Sequence, residues 1–240
     1  MAVAAGAIVA GAALGACSSS SSEGALAGKT PAQIVSTALA SARSEGTVHF
    51  TLNATGSPNG ESVVGNAGLL DGQQELTIGS DQVEAELVSG VAYLDATAGF
   101  LHNVLGLPAT VANNYAGKWI SLSSSDALYA QISKSVTLNG VLNQVTPTGS
   151  LQASSPGLVA GRTVIGVIGG LPGPPRTGTT GRSELYVETA RPNLPVGFSG
   201  QATSSAGGRI TDVGAFRDWG GALQLSAPPG AVPYDSLPRS

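Results

Sequence analysis

The sequence predicts an α+β domain: a curved antiparallel β-sheet with helices gathered on one face. Three observations carry that expectation. One amphipathic helical pattern leads straight into short period-two segments joined by two-residue turns. A group of short helical patterns then interrupts the series, and a second block of period-two segments follows it.

Thr30-Pro31 opens the first helix, with Thr30 as the cap, Pro31 at the first helical position and Gln33 placed to close a capping box. Ile34, Val35, Ala38, Leu39 and Ala42 recur at helical spacing, and Gly46 ends the run. From Thr47 the period drops to two: Val48, Phe50, Leu52 and Ala54 alternate with Thr47, His49, Thr51 and Asn53 before Ser57-Pro58-Asn59-Gly60 turns the chain back. Segments over 62–70, 74–78, 82–88 and 91–96, separated by Asp71-Gly72, Gly79-Ser80 and Ser89-Gly90, extend this into a meander. In the third of them Val83, Ala85 and Leu87 face one way and Gln82, Glu84 and Glu86 the other. One side of the sheet is therefore expected to be covered and the other wet.

The cover is expected to be helical. Phe100, Leu101, Val104 and Leu105 fall on one helical face bracketed by Gly99 and Gly106, and Pro108 begins a further turn or two. Gly117-Lys118-Trp119-Ile120 reads as an aromatic-bearing strand, and 126–133 as a short helix capped by Ser123-Ser124-Ser125-Asp126. Strands return over 161–168, 183–189, 196–201 and 209–216, with a Pro-rich end after Ala227. Glycine and proline between 169 and 181 are dense enough to predict a long exposed loop inside one sheet.

Composition narrows the function. Of 240 residues only 11% are charged, against roughly 25% in an ordinary soluble domain, and the formal net charge is −4. No basic stripe is available for phosphates, so nucleic acid is not expected as a partner. One cysteine excludes an internal disulfide and a multi-cysteine zinc site. No metal and no cofactor is expected. The two histidines, His49 in a strand and His102 in the short helix after it, sit in no nucleophile motif, and no Gly-x-Ser-x-Gly elbow occurs. Glu84 and Glu86 share a strand face at a spacing compatible with a glycosidase or cation site, but a solvated face is the preferred reading. The chain is not expected to be an enzyme.

The first seventeen residues are the most specific. From Ala2 to Ala16 every residue is Ala, Val, Ile, Leu or Gly, and the run stops at Cys17, followed by Ser18 to Ser22. About fifteen helical residues extend roughly 22 Å, short of a ~30 Å hydrocarbon core but suited to the apolar region of an export signal. Leu14-Gly15-Ala16-Cys17 resembles the bacterial lipobox, which implies a signal peptide over 1–16 and a diacylglyceryl group on the Cys17 thiol. No Lys or Arg precedes the apolar run, so the start of the signal is expected upstream. Residues 17–29 have the composition of a flexible tether, and 30–240 are expected to form a single domain. Acyl chains contribute about 0.8 kcal/mol per buried CH₂, so attachment at one atom would hold the chain to the extracytoplasmic face of the cell membrane.

Beyond the lipobox, four stretches carry a resemblance: Ala38-Leu39-Ala40-Ser41-Ala42 running into Thr47-Val48-His49-Phe50-Thr51-Leu52, then Gly117-Lys118-Trp119-Ile120, Leu185-Tyr186-Val187-Glu188, and Asn193-Leu194-Pro195-Val196. In this order the chain resembles actinobacterial envelope lipoproteins related to LppX and LprG, whose fold is similar to that of the lipoprotein carrier LolA. The resemblance implies a half-barrel with helices on its concave face, and an apolar cavity between them that takes the acyl chains of a lipid or glycolipid. Phe50, Leu52, Val83, Leu87, Phe100, Leu101, Val104 and Leu105 are the candidates to line it. The plainer reading of the same eight is a packed core, which would make the chain a structural or accessory lipoprotein that binds another envelope protein.

Overall fold

The computed structural model describes residues 26–56, 60–173, 179–204 and 208–238. The expected signal peptide 1–16, Cys17 with the residues up to 25, and most of the turn at 57–60 lie outside them. The chain runs α1 (Pro31–Glu45), β1 (Thr47–Thr55), β2 (Glu61–Gly68), β3 (Gly72–Ile78), β4 (Asp81–Val88), β5 (Val91–Ala96), α2 (Ala98–Asn103), α3 (Ala109–Tyr115), β6 (Ile120–Leu122), α4 (Tyr129–Val136) and α5 (Leu138–Val145). It continues through β7 (Thr148–Ala153), β8 (Gly157–Val159), β9 (Arg162–Gly170), β10 (Thr179–Glu188), β11 (Pro195–Ser204), β12 (Arg209–Arg217) and β13 (Val232–Pro233), ending in a 3-10 turn at Tyr234–Ser236.

These thirteen strands make one open, curved sheet in the order β13-β6-β5-β4-β3-β2-β1-β12-β11-β10-β9-β7, with β8 added on β9. The pairs are antiparallel except for β13 on β6. The half-barrel with helices on its concave face, expected from the sequence, is the fold observed.

Local chemistry explains the first elements. The Thr30 hydroxyl accepts from the Gln33 backbone N–H at 3.3 Å while the Gln33 side chain accepts from the Thr30 N–H at 2.9 Å, which closes the capping box. Gly46 ends α1 at φ 80°, a left-handed conformation that suits glycine. Ile34, Val35, Ala38 and Ala42 are the buried face of α1. Leu26, within the segment read as tether, is 3% exposed and belongs to the core.

The helices divide the inner face into two cores. In the first, α1 and α5 pack on β1, β2 and β9–β12, with Val48, Phe50, Leu142, Leu185 and Phe198 among its members. In the second, α2, α3 and α4 pack on β4–β6, with Val83, Leu87, Leu101, Ile120 and Leu122 among its members. Leu76 on β3 touches both.

Several local expectations are corrected. The helix 126–133 begins later, at Tyr129, because the Asp126 carboxylate accepts from both the N–H and the hydroxyl of Ser123 and closes a turn of its own. α5 was not anticipated; the Thr137 side chain caps it, and Gly140 lets it approach α4 so closely that a Cβ would collide with the Lys134 carbonyl. The expected 169–181 loop is shorter: β9 runs to Gly170 and β10 starts at Thr179. Trp119 precedes β6 rather than lying in it.

The wet face is also interrupted. Glu86, Tyr93 and Val88 are 9%, 9% and 8% exposed although they point away from the helices. The C-terminal segment 218–231 lies along that outer face. It is tied to β1 by Gly220 N–H donating to the Thr47 carbonyl at 3.1 Å and by the Thr47 hydroxyl donating to the Gly221 carbonyl at 2.6 Å. It reaches β6, where the Val232 N–H donates to the Trp119 carbonyl at 2.9 Å. This segment, which runs into the expected Pro-rich end after Ala227, is a strap crossing five strand spacings, about 24 Å.

Candidate functional site

The eight residues expected to line one cavity fall into the two cores. Phe50 and Leu52, adjacent inward positions of β1, belong to the first, Phe50 as a buried member and Leu52 half-buried against it. Val83 and Leu87 of β4 join Phe100 and Leu101 of α2 in the second, and Leu105 packs against them. All four are under 9% exposed. Val104 is 55% exposed. The helix stops at Asn103, and Gly106 at φ 70° turns the chain so that the Leu107 N–H donates to the Leu101 carbonyl at 3.1 Å. Leu107, 4% exposed, takes the inward place that helical spacing assigns to Val104.

The segment carrying Phe100 is also held at its start. The Thr97 hydroxyl accepts from the Phe100 N–H and donates to the Asp81 carboxylate at 3.2 Å. A Cβ on Gly99 would collide with that same carboxylate, so Gly99 serves close approach inside α2 rather than helix termination.

Away from the helices, the inner face carries two carboxylates. Glu61 and Asp212 are the cross-strand neighbours of Ala54, one on each side. Burial raises the carboxyl of Glu61 above its ordinary range, and the nearby Asp212 adds to the rise. Burial likewise raises Asp212. Among the described residues neither is ion-paired with Lys or Arg.

Neither histidine is set beside a nucleophile. His49 Nδ1 lies 2.9 Å from Asn66 Oδ1, and Arg217 donates to His49 Nε2 at 2.9 Å. His102 Nδ1 meets the Leu107 carbonyl at 2.7 Å. Glu84 is exposed while Glu86, two residues on and on the same outer face, is buried, so the expectation of a fully solvated face holds for Glu84 alone. Burial first and Glu84 second raise the Glu86 carboxyl above its ordinary range.

A groove of about 460 Å³ also opens on the outer face, between the strap and the first residues of β1 with their neighbours on β2 and β3. Sequence reasoning missed it because it exists only where the strap lies over the sheet.

No family model matches the chain, and no curated protein matches it. Solved structures do. The chain is similar to LprF from Mycobacterium bovis at 13% identity and TM-score 0.51, covering 83% of this chain and 97% of that one. This likeness shows the fold, the one expected of LppX/LprG-type lipoproteins. MucB, solved in complex with MucA(peri), aligns at 16% identity and TM-score 0.41 over 84% of this chain and 60% of its own. A putative outer membrane lipoprotein-sorting protein domain from Vibrio parahaemolyticus aligns at 9% identity and TM-score 0.24 over 79% of this chain and 92% of its own.

Proposed function

We propose that the chain is an envelope lipoprotein, attached to the extracytoplasmic face of the cell membrane through an acylated Cys17, that binds or carries the acyl part of a lipid or glycolipid without catalysis. One observation carries this reading: the inner face beneath the helices is apolar, in two cores that share Leu76. An apolar layer of that kind takes up hydrocarbon through the water the acyl chain itself sheds, about 0.8 kcal/mol per CH₂, and needs no catalytic group.

The test is organic extraction of the purified full chain followed by mass spectrometry. Lipid should accompany the wild type and fall away in Leu52→Trp, which fills a half-buried inward position. Val104→Trp, at an exposed position, should leave it unchanged. Cys17→Ala should move the protein out of the membrane fraction; unchanged fractionation would refute the anchor.

A second reading has an observation of its own. Leu101, Ile120, Leu122, Leu138 and Leu142 are fully buried, and a groove of about 460 Å³ lies on the other side of the sheet. A solid core of this kind suits an accessory lipoprotein that binds another envelope protein. Lipid-free wild-type protein would favour it.

A further inference from the structure

We propose that the outer-face groove beneath the strap is a binding site for an uncharged saccharide ring, separate from the inner-face cores and independent of lipid carriage. Its volume of about 460 Å³ lies within the ~300–1,000 Å³ typical of small-ligand sites.

The floor is a cross-strand row. His49, Asn66 and Gln73 stand directly opposite one another on β1, β2 and β3. Arg217 has only donors, so His49 Nε2 accepts from it and the Nδ1–H donates to Asn66 Oδ1. That holds the imidazole in place as scaffolding and turns the Asn66 amide so that its Nδ2 donors remain for a ligand. The Gln73 amide, half-buried on the same row, has no partner among the described residues, nor has the Gln224 amide on the strap. Side-chain amides that both donate and accept match hydroxyl groups, which do the same.

The opposite wall is aliphatic. Leu223 and Leu225 line the groove from the strap, with Leu223 set against Gly68, where a Cβ would stand 3.0 Å from its Cδ2. A pyranose presents a C–H face to such a wall and a rim of hydroxyls to the amides. Charge completes the argument. No Lys or Arg lines the groove, and its one carboxylate, Asp218, lies 3.8 Å from the Arg217 guanidinium. An anionic ligand would find no cation in the lining, and the one carboxylate there already stands beside Arg217, so the groove suits a neutral ligand better than a charged one.

The test uses the full chain in a sugar-free zwitterionic detergent, with methyl glycosides of glucose, galactose and mannose as probes. Saturation-transfer NMR, irradiating protein methyls, should show saturable transfer to at least one glycoside, concentrated on one face of the ring. Gln73→Leu should weaken that binding about tenfold, the effect of losing one or two hydrogen bonds. Gln224→Leu, at an exposed strap position, supplies the same readout if the first variant fails to fold. Transfer to none of the glycosides overturns the proposal, as does transfer that neither variant alters. Displacement of the sugar by an uncharged extended peptide at lower concentration overturns it in favour of peptide recognition.

Discussion

The ring of Phe50 fills the space above Gly65 in which any other residue would carry its Cβ: a Cβ built there stands 2.6 Å from Phe50 Cζ and 2.6 Å from the Gln73 carbonyl oxygen. Phe198 overlies Gly214 in the same way. Each aromatic lies across the neighbouring strand, and glycine there makes room for the first core. Gly65→Ala should therefore destabilise by about 1–3 kcal/mol through overpacking. Gly157→Ala, where a Cβ meets nothing within 4 Å, should stay within about 0.5 kcal/mol. Urea denaturation of both variants checks the contrast.

On the outer face Glu75, Glu84 and Asp95 stand opposite one another on three adjacent strands. Burial, then Asp95, then Glu75 raise the Glu84 carboxyl above its ordinary value of 4.5. Burial also raises Asp95 above 3.8, partly offset by a hydrogen bond from the Ala96 backbone. A carboxyl whose folded pKa is raised binds more protons folded than unfolded, so stability falls as pH rises from the ordinary value through the raised one. Thermal melts across that acid range should show this slope in the wild type and a shallower one in Glu84→Gln. At neutral pH the variant should be more stable by about 0.3 kcal/mol, the discount reflecting solvent screening, and concentrated salt should shrink the difference.

The alternation of β1 and β4, the capping box at Thr30 and the turns at Gly79-Ser80 and Ser89-Gly90 were legible because each depends on residues within a few positions. What was hidden depends on contacts distant in sequence. The close approach of α5 to α4 at Gly140 exists only once both helices are in place, and the strap meets the outer face of β1 and β2 more than a hundred residues downstream of them. The site divides the same way: seven of the eight candidate residues are buried or half-buried, while Val104 is exposed. Helical spacing cannot show that Gly106 ends the register and hands the inward place to Leu107.

That exchange yields a direct prediction. Leu107→Ala should cost about 2–5 kcal/mol by opening a cavity in the second core. Val104→Ala, at a residue 55% exposed, should change stability by about 0.5 kcal/mol or less. Equal effects would mean that the helix continues through Val104 as spacing alone suggests.

The strap joins the two cores from outside. Trp219 at its start packs against the first, its ring 5.8 Å from that of Phe216 and its indole N–H donating to the Pro195 carbonyl at 3.1 Å. Leu237 beyond its end is 4% exposed in the second. Between Gly221 and Val232 no backbone hydrogen bond ties the strap to the sheet among the described residues, so its backbone is tied at its two ends. Fixing one end raises the local concentration of the other at its own site, which couples contacts too far apart to touch. Thr47→Val removes the hydroxyl bond at one end and should cost about 1 kcal/mol; Leu237→Ala removes packing at the other and should cost about 2–5 kcal/mol. Sites this distant ordinarily add within about 0.5 kcal/mol. Here the double variant should lose less than the sum by more than that margin, because once either end is free the other does less to keep the strap in place. Strict additivity in a double-mutant cycle would show that the two ends act independently. In the coupled case, hydrogen exchange at the Val232 amide should quicken in both single variants while the amides of β10 and β11 keep their protection.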